Sequence, residues 1–358
     1  MKILVISLAG IGDTLLATPL IAELRANFPG ARIDALTLWP GAKDLLETNP
    51  HLDTVYQKNL LHSPKAGAWR FLRELRSRRY DVSINTHPQS RIHYRFIARL
   101  IGARERLSHE YDCSGCLDHL LVNQTLPQDY ARHTVEQNLD FLRCLGGKPR
   151  LAPHRTEVHP TADDERWAGD FFSAHELARF FCLGVHIGSG GTKNLALKRW
   201  PLERYRQLFQ RLNREQPGIK ILLFGGGAEL RQHQHLCAAT EPRRVVSVET
   251  GNLRQAAALL RRCQMFLSVD TALMHLAAAM HTPNQIVIEA PTLNPTNLPY
   301  GNPFTVVPNP VSHGRSLEYY RYDGHGIRGT TAELLACMQS VTVDAVWAAV
   351  TAALARRG

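Results

Sequence analysis

Short apolar runs alternate with amphipathic helical segments along nearly the whole chain, and this alternation constrains the fold more than any other feature of the sequence. In the first half it predicts strands at residues 3–8, 33–38 and 82–85 and helices near 14–28, 65–79, 92–100 and 133–145. Each apolar run is long enough for one buried strand, and helical segments separate the runs. Repeated units of this kind are joined by right-handed crossovers, which predict a parallel sheet.

The alternation is interrupted once and then starts again. Residues 146–160 contain two glycines and three prolines with few apolar residues, as is typical of a linker. Beyond them the pattern predicts strands at 181–187, 219–224, 245–248, 265–269 and 285–289 and helices at 202–215, 228–239, 252–262 and 271–280. We therefore predict an α/β protein with two doubly wound domains, 1–155 and 156–335, and a final helix in 336–358 that can pack back on the N-terminal domain.

Composition narrows the functional classes. No apolar run among the 358 residues approaches the roughly 18 to 20 that span a membrane, and residues 1–8 enter a strand without a signal-peptide pattern. We therefore expect a cytoplasmic protein. The seven cysteines fit reduced thiols, and Cys113-Ser-Gly-Cys116 is interpreted as a loop with two thiols because no second pair follows at zinc-ribbon spacing.

The net charge of +10 is concentrated in one part of the chain. Between Arg70 and Arg106 there are ten arginines against three acidic residues. This can be the solvated face of two helices, or it can attract an anionic partner such as a phosphorylated substrate or an acidic membrane surface. Nucleic acid is not expected as a partner, because no recognition-helix, zinc-finger or RNP pattern accompanies the charge.

A glycine turn with an unexpected carboxylate follows the first predicted strand. Gly10-Ile-Gly12 lies between that strand and a helix, where backbone N–H groups and a helix N-terminus normally hold a phosphate. Asp13, directly after the glycines, would repel a phosphate. Asp13 is therefore either a helix cap or a group with chemistry of its own.

Polar groups also follow the predicted strands of the second half. Ser189-Gly-Gly-Thr192 follows one strand, Glu229 follows three glycines after the next, and Asp270-Thr271 follows a later one. Ligands bind at this edge of parallel sheets, and Lys198 can place a point charge on a phosphate there. Each group also has a structural alternative: Lys198 as a surface lysine, Glu229 and Asp270 as helix-terminus residues, and His275 as a packed residue of an apolar helix.

An ordered set of motifs extends from Met1 to about residue 354 and resembles glycosyltransferase family 9, the ADP-heptose:lipopolysaccharide heptosyltransferases. The motifs are Gly10-Ile-Gly-Asp-Thr-Leu-Leu-Ala-Thr-Pro19, Phe28-Pro-Gly-Ala-Arg32, Lys198-Arg-Trp-Pro201, Phe224-Gly-Gly-Gly-Ala-Glu229, Ser268-Val-Asp-Thr-Ala-Leu-Met-His-Leu-Ala-Ala-Ala279 and Ala290-Pro-Thr292. The resemblance implies a GT-B fold, in which two Rossmann-like domains face each other across a cleft. It places the acceptor on the N-terminal domain and the nucleotide-sugar donor on the C-terminal one.

The same resemblance implies an inverting transfer of heptose from ADP-heptose to a lipopolysaccharide inner-core acceptor, with no cofactor and no required metal. It makes Asp13 the general base and Lys198 the cation that neutralises the departing diphosphate. The donor-binding residues it implies are Ser189, Gly190, Gly191, Thr192, Glu229, Asp270, Thr271, Ala272 and His275, and the acceptor-binding residues are Gly12, His87, Arg91 and Arg95. The partners it implies are an ADP-sugar, an anionic lipid-linked saccharide and the inner face of the inner membrane, with which the protein associates peripherally.

Several positions depart from the family pattern, and they keep other functions open. Ser7 stands where the family usually has Arg or Lys, Ala272 and Ala290 replace glycines, and residues 309–328 match no family pattern. A non-catalytic or divergent nucleotide-sugar-binding relative is one alternative, and a protein O-heptosyltransferase is another. A nicotinamide-dependent oxidoreductase is disfavoured, because Leu15 stands where its fingerprint needs a third small residue.

Overall fold

The computed structural model describes residues 1–241 and 243–356, which form two compact units. The first unit comprises Met1–His159 together with the tripeptide Tyr322–Gly324. The second comprises Pro160–Arg321 and continues from His325. The chain passes from one unit to the other at His159, within the segment that the sequence marks as a linker and slightly beyond residue 155.

The first unit is a parallel sheet flanked by helices. Its strands are β1 (Lys2–Ser7), β2 (Arg32–Thr37), β3 (Thr54–Gln57), β4 (Val82–Asn85), β5 (Glu105–Glu110) and β6 (Gln124–Pro127). Its helices are α1 (Ile11–Leu15), α2 (Thr18–Asn27), α3 (Pro40–Leu46), α4 (Lys65–Ser77), α5 (Ile92–Ile101), α6 (Cys116–Leu121), α7 (Thr134–Leu139) and α8 (Phe141–Cys144). The strand order is β3-β2-β1-β4-β5-β6, and every pair is parallel.

The predicted strands 3–8, 33–38 and 82–85 correspond to the central part of this sheet, whereas β3, β5 and β6 were not predicted. Strands β3 and β6 form the two edges and stay partly exposed, so they lack a continuous apolar run. In strand β5, Ser108 and His109 are buried beside Leu107. A strand with polar residues at buried positions has no continuous apolar run and is not recognised from hydrophobicity. The predicted helices 14–28 and 133–145 are each divided into two shorter helices.

The second unit repeats the plan. Its strands are β7 (Phe181–His186), β8 (Ile219–Phe224), β9 (Val245–Ser247), β10 (Met265–Ser268), β11 (Gln285–Ile288) and β12 (Phe304–Val307). Its helices are α9 (Ala162–Ala174), α10 (Leu202–Glu215), α11 (Leu230–Ala238), α12 (Leu253–Leu260), α13 (Ala272–Ala279), α14 (Ser316–Tyr319), α15 (Thr331–Gln339) and α16 (Val343–Ala355). The strand order is β12-β11-β10-β7-β8-β9, all parallel, and only the edge strand β12 was not predicted.

The final helix, α16, packs on elements of the second unit. Val346, Val350 and Ala353 belong to the apolar core around β7, β8 and β10. Arg211 of α10 lies 4.3 Å over the ring of Trp347. The apolar face of α16 therefore packs on the sheet of its own unit.

No single helix within residues 1–241 and 243–356 is long and apolar enough to cross a membrane. The helices Thr331–Gln339 and Val343–Ala355 reach the necessary length and apolar composition only together, and a 47° bend separates them.

The close packing of β7 yields a stability prediction. A Cβ atom on Gly184 would lie 2.9 Å from the side chain of Phe266 and 3.1 Å from that of Phe224, so Gly184→Ala forces two buried rings to move. We expect it to lower the free energy of unfolding in urea by about 1–3 kcal/mol. Gly218→Ala is the matched control, because no atom lies within 4 Å of its added methyl group. Equal midpoints for the two variants would contradict the packing argument.

Candidate functional site

A buried ion pair lies at the carboxyl edge of the second sheet. The Lys198 ammonium donates to the Asp270 side chain at 3.0 Å and to the Asp270 carbonyl oxygen at 2.6 Å. Thr292, after β11, donates through Oγ1 to both Asp270 oxygens at 2.7 and 2.8 Å, and the Asn297 amide lies 3.4 Å from one of them. All but Asn297 are less than one-tenth exposed. Loops that follow β7, β10 and β11 therefore meet on one carboxylate.

A second polar group lies at the same edge. The Arg199 guanidinium donates to Ser189 Oγ at 3.1 Å and to Glu229 Oε1 at 3.2 Å. Glu229 also accepts a 2.9 Å hydrogen bond from the backbone N–H of Gly226. Ser189 Oγ donates in turn to the backbone of Leu195. The first residues of the loop after β7 are thus tied to the turn after β8.

His186, the last residue of β7, lies at the same edge of the sheet. Its Nδ1 lies 3.0 Å from Oγ1 of Thr271, which caps helix α13 directly after Asp270. Burial, together with the nearby His233, Arg199 and Lys198, lowers the pKa of His186 to about 3, so the ring is neutral. A Cβ atom on Gly188 would lie 2.6 Å from Glu229 and 2.8 Å from His186, so only glycine lets the chain pass here.

The remaining predicted donor residues differ in exposure. Gly190, Gly191 and Thr192 are exposed in the loop after β7, whereas His275 is buried on α13. Ala272 is the first residue of α13 and has helical geometry, so the methyl group that replaces a family glycine meets no backbone strain.

Ala290, which replaces a family glycine, and its neighbour Glu289 are both buried in the second unit. Ala290 is fully buried in the core of the second unit. Glu289 is also buried, and its carboxylate accepts from the backbone N–H of Asn309 at 2.8 Å and lies 2.7 Å from His313 Nδ1. Asn309 itself is fully buried and bonds to the backbone of Glu289 and Cys337. The start of the unmatched segment 309–328 is therefore anchored to the sheet.

Asp13 lies in the first unit, in the first turn of α1, which follows β1. Its Oδ2 accepts a 2.6 Å hydrogen bond from the backbone N–H of Gly10, and the residue is half-buried. Gly12 is buried beside it in α1. Ser7, which replaces a family cation, is buried and lies 3.0 Å from Thr14 through the two hydroxyl oxygens. Asp13 thus stabilises its own helix N-terminus from the third position of α1, with Gly10 as the N-cap residue.

The Asp13 carboxylate also acts on neighbouring elements of the same unit. The pKa of Tyr94 on α5 is raised, mainly by burial. Asp13 adds to this rise, and Arg91 opposes it. Burial raises the pKa of Tyr111, after β5, and Asp13 contributes in the same direction. Arg91 precedes α5 and donates to the backbone oxygen of Gly324. Asp13, Arg91 and two phenols therefore share one electrostatic neighbourhood.

Two predicted acceptor residues lie inside the first unit. The Arg95 guanidinium is 1% exposed, forms a 2.7 Å ion pair with Asp118 and donates to the backbone of Ser90 and His109. His87 is fully buried and lies 3.1 Å from the Tyr111 hydroxyl, and burial holds its pKa well below the usual range. Both side chains are enclosed by their own unit and hold its loops in place, and their acceptor-binding role stays a prediction.

In the part of the chain that the structure describes, no group of three or more His, Cys, Asp or Glu side chains is arranged to hold a metal ion. The cysteines of the Cys113-Ser-Gly-Cys116 loop are exposed and form no disulfide.

Four residues of the second-unit site were not selected from the sequence: His186, Arg199, Thr292 and Asn297. Arg199 and Thr292 lie within two of the family motifs, next to Lys198 and Pro291. This position in the motifs is the sequence signal that could have identified them as site residues. His186 and Asn297 have no sequence signal of this kind, because their partners are 85 and 27 residues away.

Comparison with known proteins was informative at the level of family and fold. A family model described as glycosyltransferase family 9 (heptosyltransferase) matches residues 68–320. Lipopolysaccharide heptosyltransferase 3 of Escherichia coli is 27% identical over 289 residues, which cover 76% of this chain and 78% of that protein.

Two solved structures from E. coli share the fold. ADP-heptose lps heptosyltransferase II aligns with a TM-score of 0.74 at 20% identity over 99% of both chains. Heptosyltransferase WaaC, solved with ADP-2-deoxy-2-fluoro heptose, aligns with a TM-score of 0.71 at 20% identity over 98% of this chain and 99% of that chain. The predicted GT-B fold is confirmed.

The neutral His186 ring generates a prediction on acid stability. The unfolded chain binds a proton at this residue near pH 6.5, whereas the folded protein does so only near pH 3, so stability falls as the pH drops below 6.5. We expect His186 to account for up to about 1.4 kcal/mol of that loss per pH unit. The free energy of unfolding in denaturant is measured between pH 6.5 and 4.5. His186→Gln should reduce its dependence on pH by the equivalent of about one proton, whereas Thr271→Ser should keep the wild-type dependence. An unchanged slope in His186→Gln would show that the ring is protonated in the folded state.

Proposed function

The chain belongs to glycosyltransferase family 9 and is a glycosyltransferase, and from this premise we propose that it transfers heptose from ADP-heptose to an inner-core acceptor of lipopolysaccharide. The observation that carries the proposal is the buried cluster of Lys198, Asp270 and Thr292 at the carboxyl edge of the second sheet. A lysine held in this way is a fixed positive charge where parallel sheets bind ligands. A departing diphosphate gains negative charge in the transition state, so such a cation stabilises that state selectively.

In this proposal the second unit binds the donor. Lys198 contacts the diphosphate, Asp270 accepts hydrogen bonds from sugar hydroxyls, and Glu229, oriented by Arg199, accepts from the ribose hydroxyls. The exposed loop from Gly190 to Thr192 supplies N–H and hydroxyl donors to phosphate oxygens, with Ser189 at its base. Thr271, Ala272 and His275 line the same region through helix α13. The choice of ADP-heptose is supported by the related WaaC, which was solved with ADP-2-deoxy-2-fluoro heptose.

The first unit supplies the base and the acceptor site. The Asp13 carboxylate takes the proton of the attacking acceptor hydroxyl while the new bond forms to the anomeric carbon. The bond from that carbon to the diphosphate oxygen breaks on the opposite side, so the configuration inverts and ADP leaves. The Gly10 hydrogen bond holds the carboxylate in position. Gly12 allows the acceptor to approach the turn, and Arg91, exposed beside it, suits an anionic saccharide.

We also propose a cytoplasmic location with peripheral attachment to the inner face of the inner membrane, where a lipid-linked acceptor is presented. Two alternatives make different predictions. A non-catalytic relative would bind ADP-heptose without transfer, and a protein O-heptosyltransferase would use a polypeptide hydroxyl as acceptor. Both are distinguished from the main proposal by the choice of acceptor in the assay below.

Replacing the proposed base tests the mechanism. Asp13→Asn retains an oxygen for the Gly10 hydrogen bond but cannot take a proton at neutral pH. We expect transfer from ADP-heptose to a lipopolysaccharide core acceptor to fall by about 10²–10⁴-fold, with ADP affinity in calorimetry unchanged. The donor is checked on the wild type with ADP-, GDP- and UDP-sugars, among which we expect an ADP preference.

The outcomes of this test are separable. Unchanged transfer in Asp13→Asn would remove Asp13 from the mechanism, and exclusive binding of UDP or GDP would overturn the donor assignment. Donor binding with no transfer by the wild type to either a core saccharide or a polypeptide would favour the non-catalytic alternative.

Lys198 is tested against a lysine of equal burial in the same unit. Lys198→Met removes the cation proposed to meet the diphosphate, and we expect kcat to fall by about 10²–10³-fold and the Kd for ADP to rise by about tenfold or more. Lys220→Met is the control, because Lys220 is also 7% exposed but donates to the backbone of His175, outside the site. Equal effects of the two substitutions would mean that Lys198 acts only through stability, which thermal unfolding of both variants would reveal.

A further inference from the structure

The first unit carries an exposed apolar surface that the transfer chemistry does not use. The described residues include eleven exposed large apolar side chains, and six of them fall in one stretch of the chain: Leu61, Trp69, Ile92, Phe96, Leu117 and Leu120. Leu61, Trp69 and Phe96 are each more than half exposed. Exposed apolar side chains mark an interaction site where they are contiguous in space, whereas isolated ones do not.

An apolar cavity lies among these residues. It has a volume of about 280 Å³ and lies between α4, α5 and the loop that precedes α4. Its walls include Leu60, Leu72, Ile97 and Leu100, and the exposed Leu61 and Phe96 also line it. A cavity walled by alkyl and aromatic groups accommodates hydrocarbon and offers little to a polar ligand.

Arginines accompany the apolar side chains along both helices. Exposed residues at i, i+4 and i+7 form one stripe on each helix, namely Trp69, Arg73 and Arg76 on α4, and Ile92, Phe96 and Arg99 on α5. The α4 and α5 helices pack together, and Arg76 donates to the backbone of Leu100. Between residues 61 and 120 there are eleven basic and six acidic side chains. The net charge of this segment is half of the net charge of the chain.

We propose that these six stripe residues, together with Leu61, form a docking surface for an anionic lipid bilayer, here called the α4–α5 surface. Aromatic and alkyl side chains enter the boundary between headgroups and acyl chains, where amphipathic segments bind membranes. Arginine stems lie along apolar surface while their guanidinium groups meet lipid phosphates. The choice of a bilayer as occupant rests on the proposed function, whose acceptor is lipid-linked.

Charge complementarity distinguishes this occupant from others. A second copy of the chain would present the same arginines, and like charges would face each other across a two-fold interface. An anionic bilayer offers phosphates to the arginines and hydrocarbon to the cavity at once. An anionic bilayer therefore provides partners for both the arginines and the apolar side chains of this surface.

The test measures binding of the full chain to vesicles without donor or acceptor. Vesicles of phosphatidylethanolamine and phosphatidylglycerol should sediment the protein, vesicles of phosphatidylcholine should do so far less, and added salt should weaken binding. Trp69→Ser/Phe96→Ser should lower the partition coefficient by about tenfold or more. Arg73→Glu/Arg99→Glu should lower it by a similar factor, because each lost arginine is worth about fivefold near an anionic surface.

Matched controls lie on the second unit. Leu335 is exposed on α15 and Arg214 on α10, so Leu335→Ser/Arg214→Glu should bind vesicles like the wild type. Circular dichroism and thermal unfolding of every variant separate loss of binding from loss of fold.

Three results would overturn the proposal. They are a wild type with no preference for anionic vesicles, a Trp69→Ser/Phe96→Ser variant that binds unchanged, and a wild-type dimer that this variant dissociates. Because the assay contains no sugar donor, its failure leaves the proposed transfer untouched. Conversely, an inactive wild type that still binds anionic vesicles through this surface would count against the transferase proposal alone.

Discussion

The Lys198–Asp270 ion pair is the contact on which the arrangement of the second unit's site depends. It joins the loop after β7 to the turn after β10, and Thr292 brings in the loop after β11. Removing two charges from water costs nearly as much free energy as their attraction returns, so such a pair contributes little net stability. The ion pair instead fixes the positions of the loops, because Lys198, Asp270 and Thr292 come from three separate loops that must meet for these hydrogen bonds to form.

Parallel topology explains why the chemistry collects where it does. All strands of a unit run in one direction, so every loop that follows a strand emerges at the same edge. In the second unit this edge carries cations, hydroxyls and the carboxylates that orient them. In the first unit it carries Asp13, two phenols and the exposed Arg91. One architecture thus presents a phosphate-compatible edge in one unit and a carboxylate-bearing edge in the other.

Prediction from the sequence succeeded where a signal is local and failed where it is not. The central strands were recognised because parallel strands buried on both faces are continuously apolar. The edge strands β3, β6 and β12 were missed because partial exposure relaxes that requirement. The family resemblance implies Arg95 and His87 as acceptor residues, but it carries no information about distant partners such as Asp118, which forms a buried ion pair with Arg95.

The sequence by itself determined the two doubly wound units, the position of the glycine turns and the family, since strand period, helix period and ordered motifs are properties of neighbouring residues. Only the tertiary structure decided that Asp270 meets Lys198 across 72 residues, that Glu229 is held by Arg199, and that α16 covers its own sheet. The physical reason is that a side chain's partner, and hence its charge state and orientation, depends on which strands lie side by side. The packing of the whole unit sets the strand order, and no single segment of the sequence determines it.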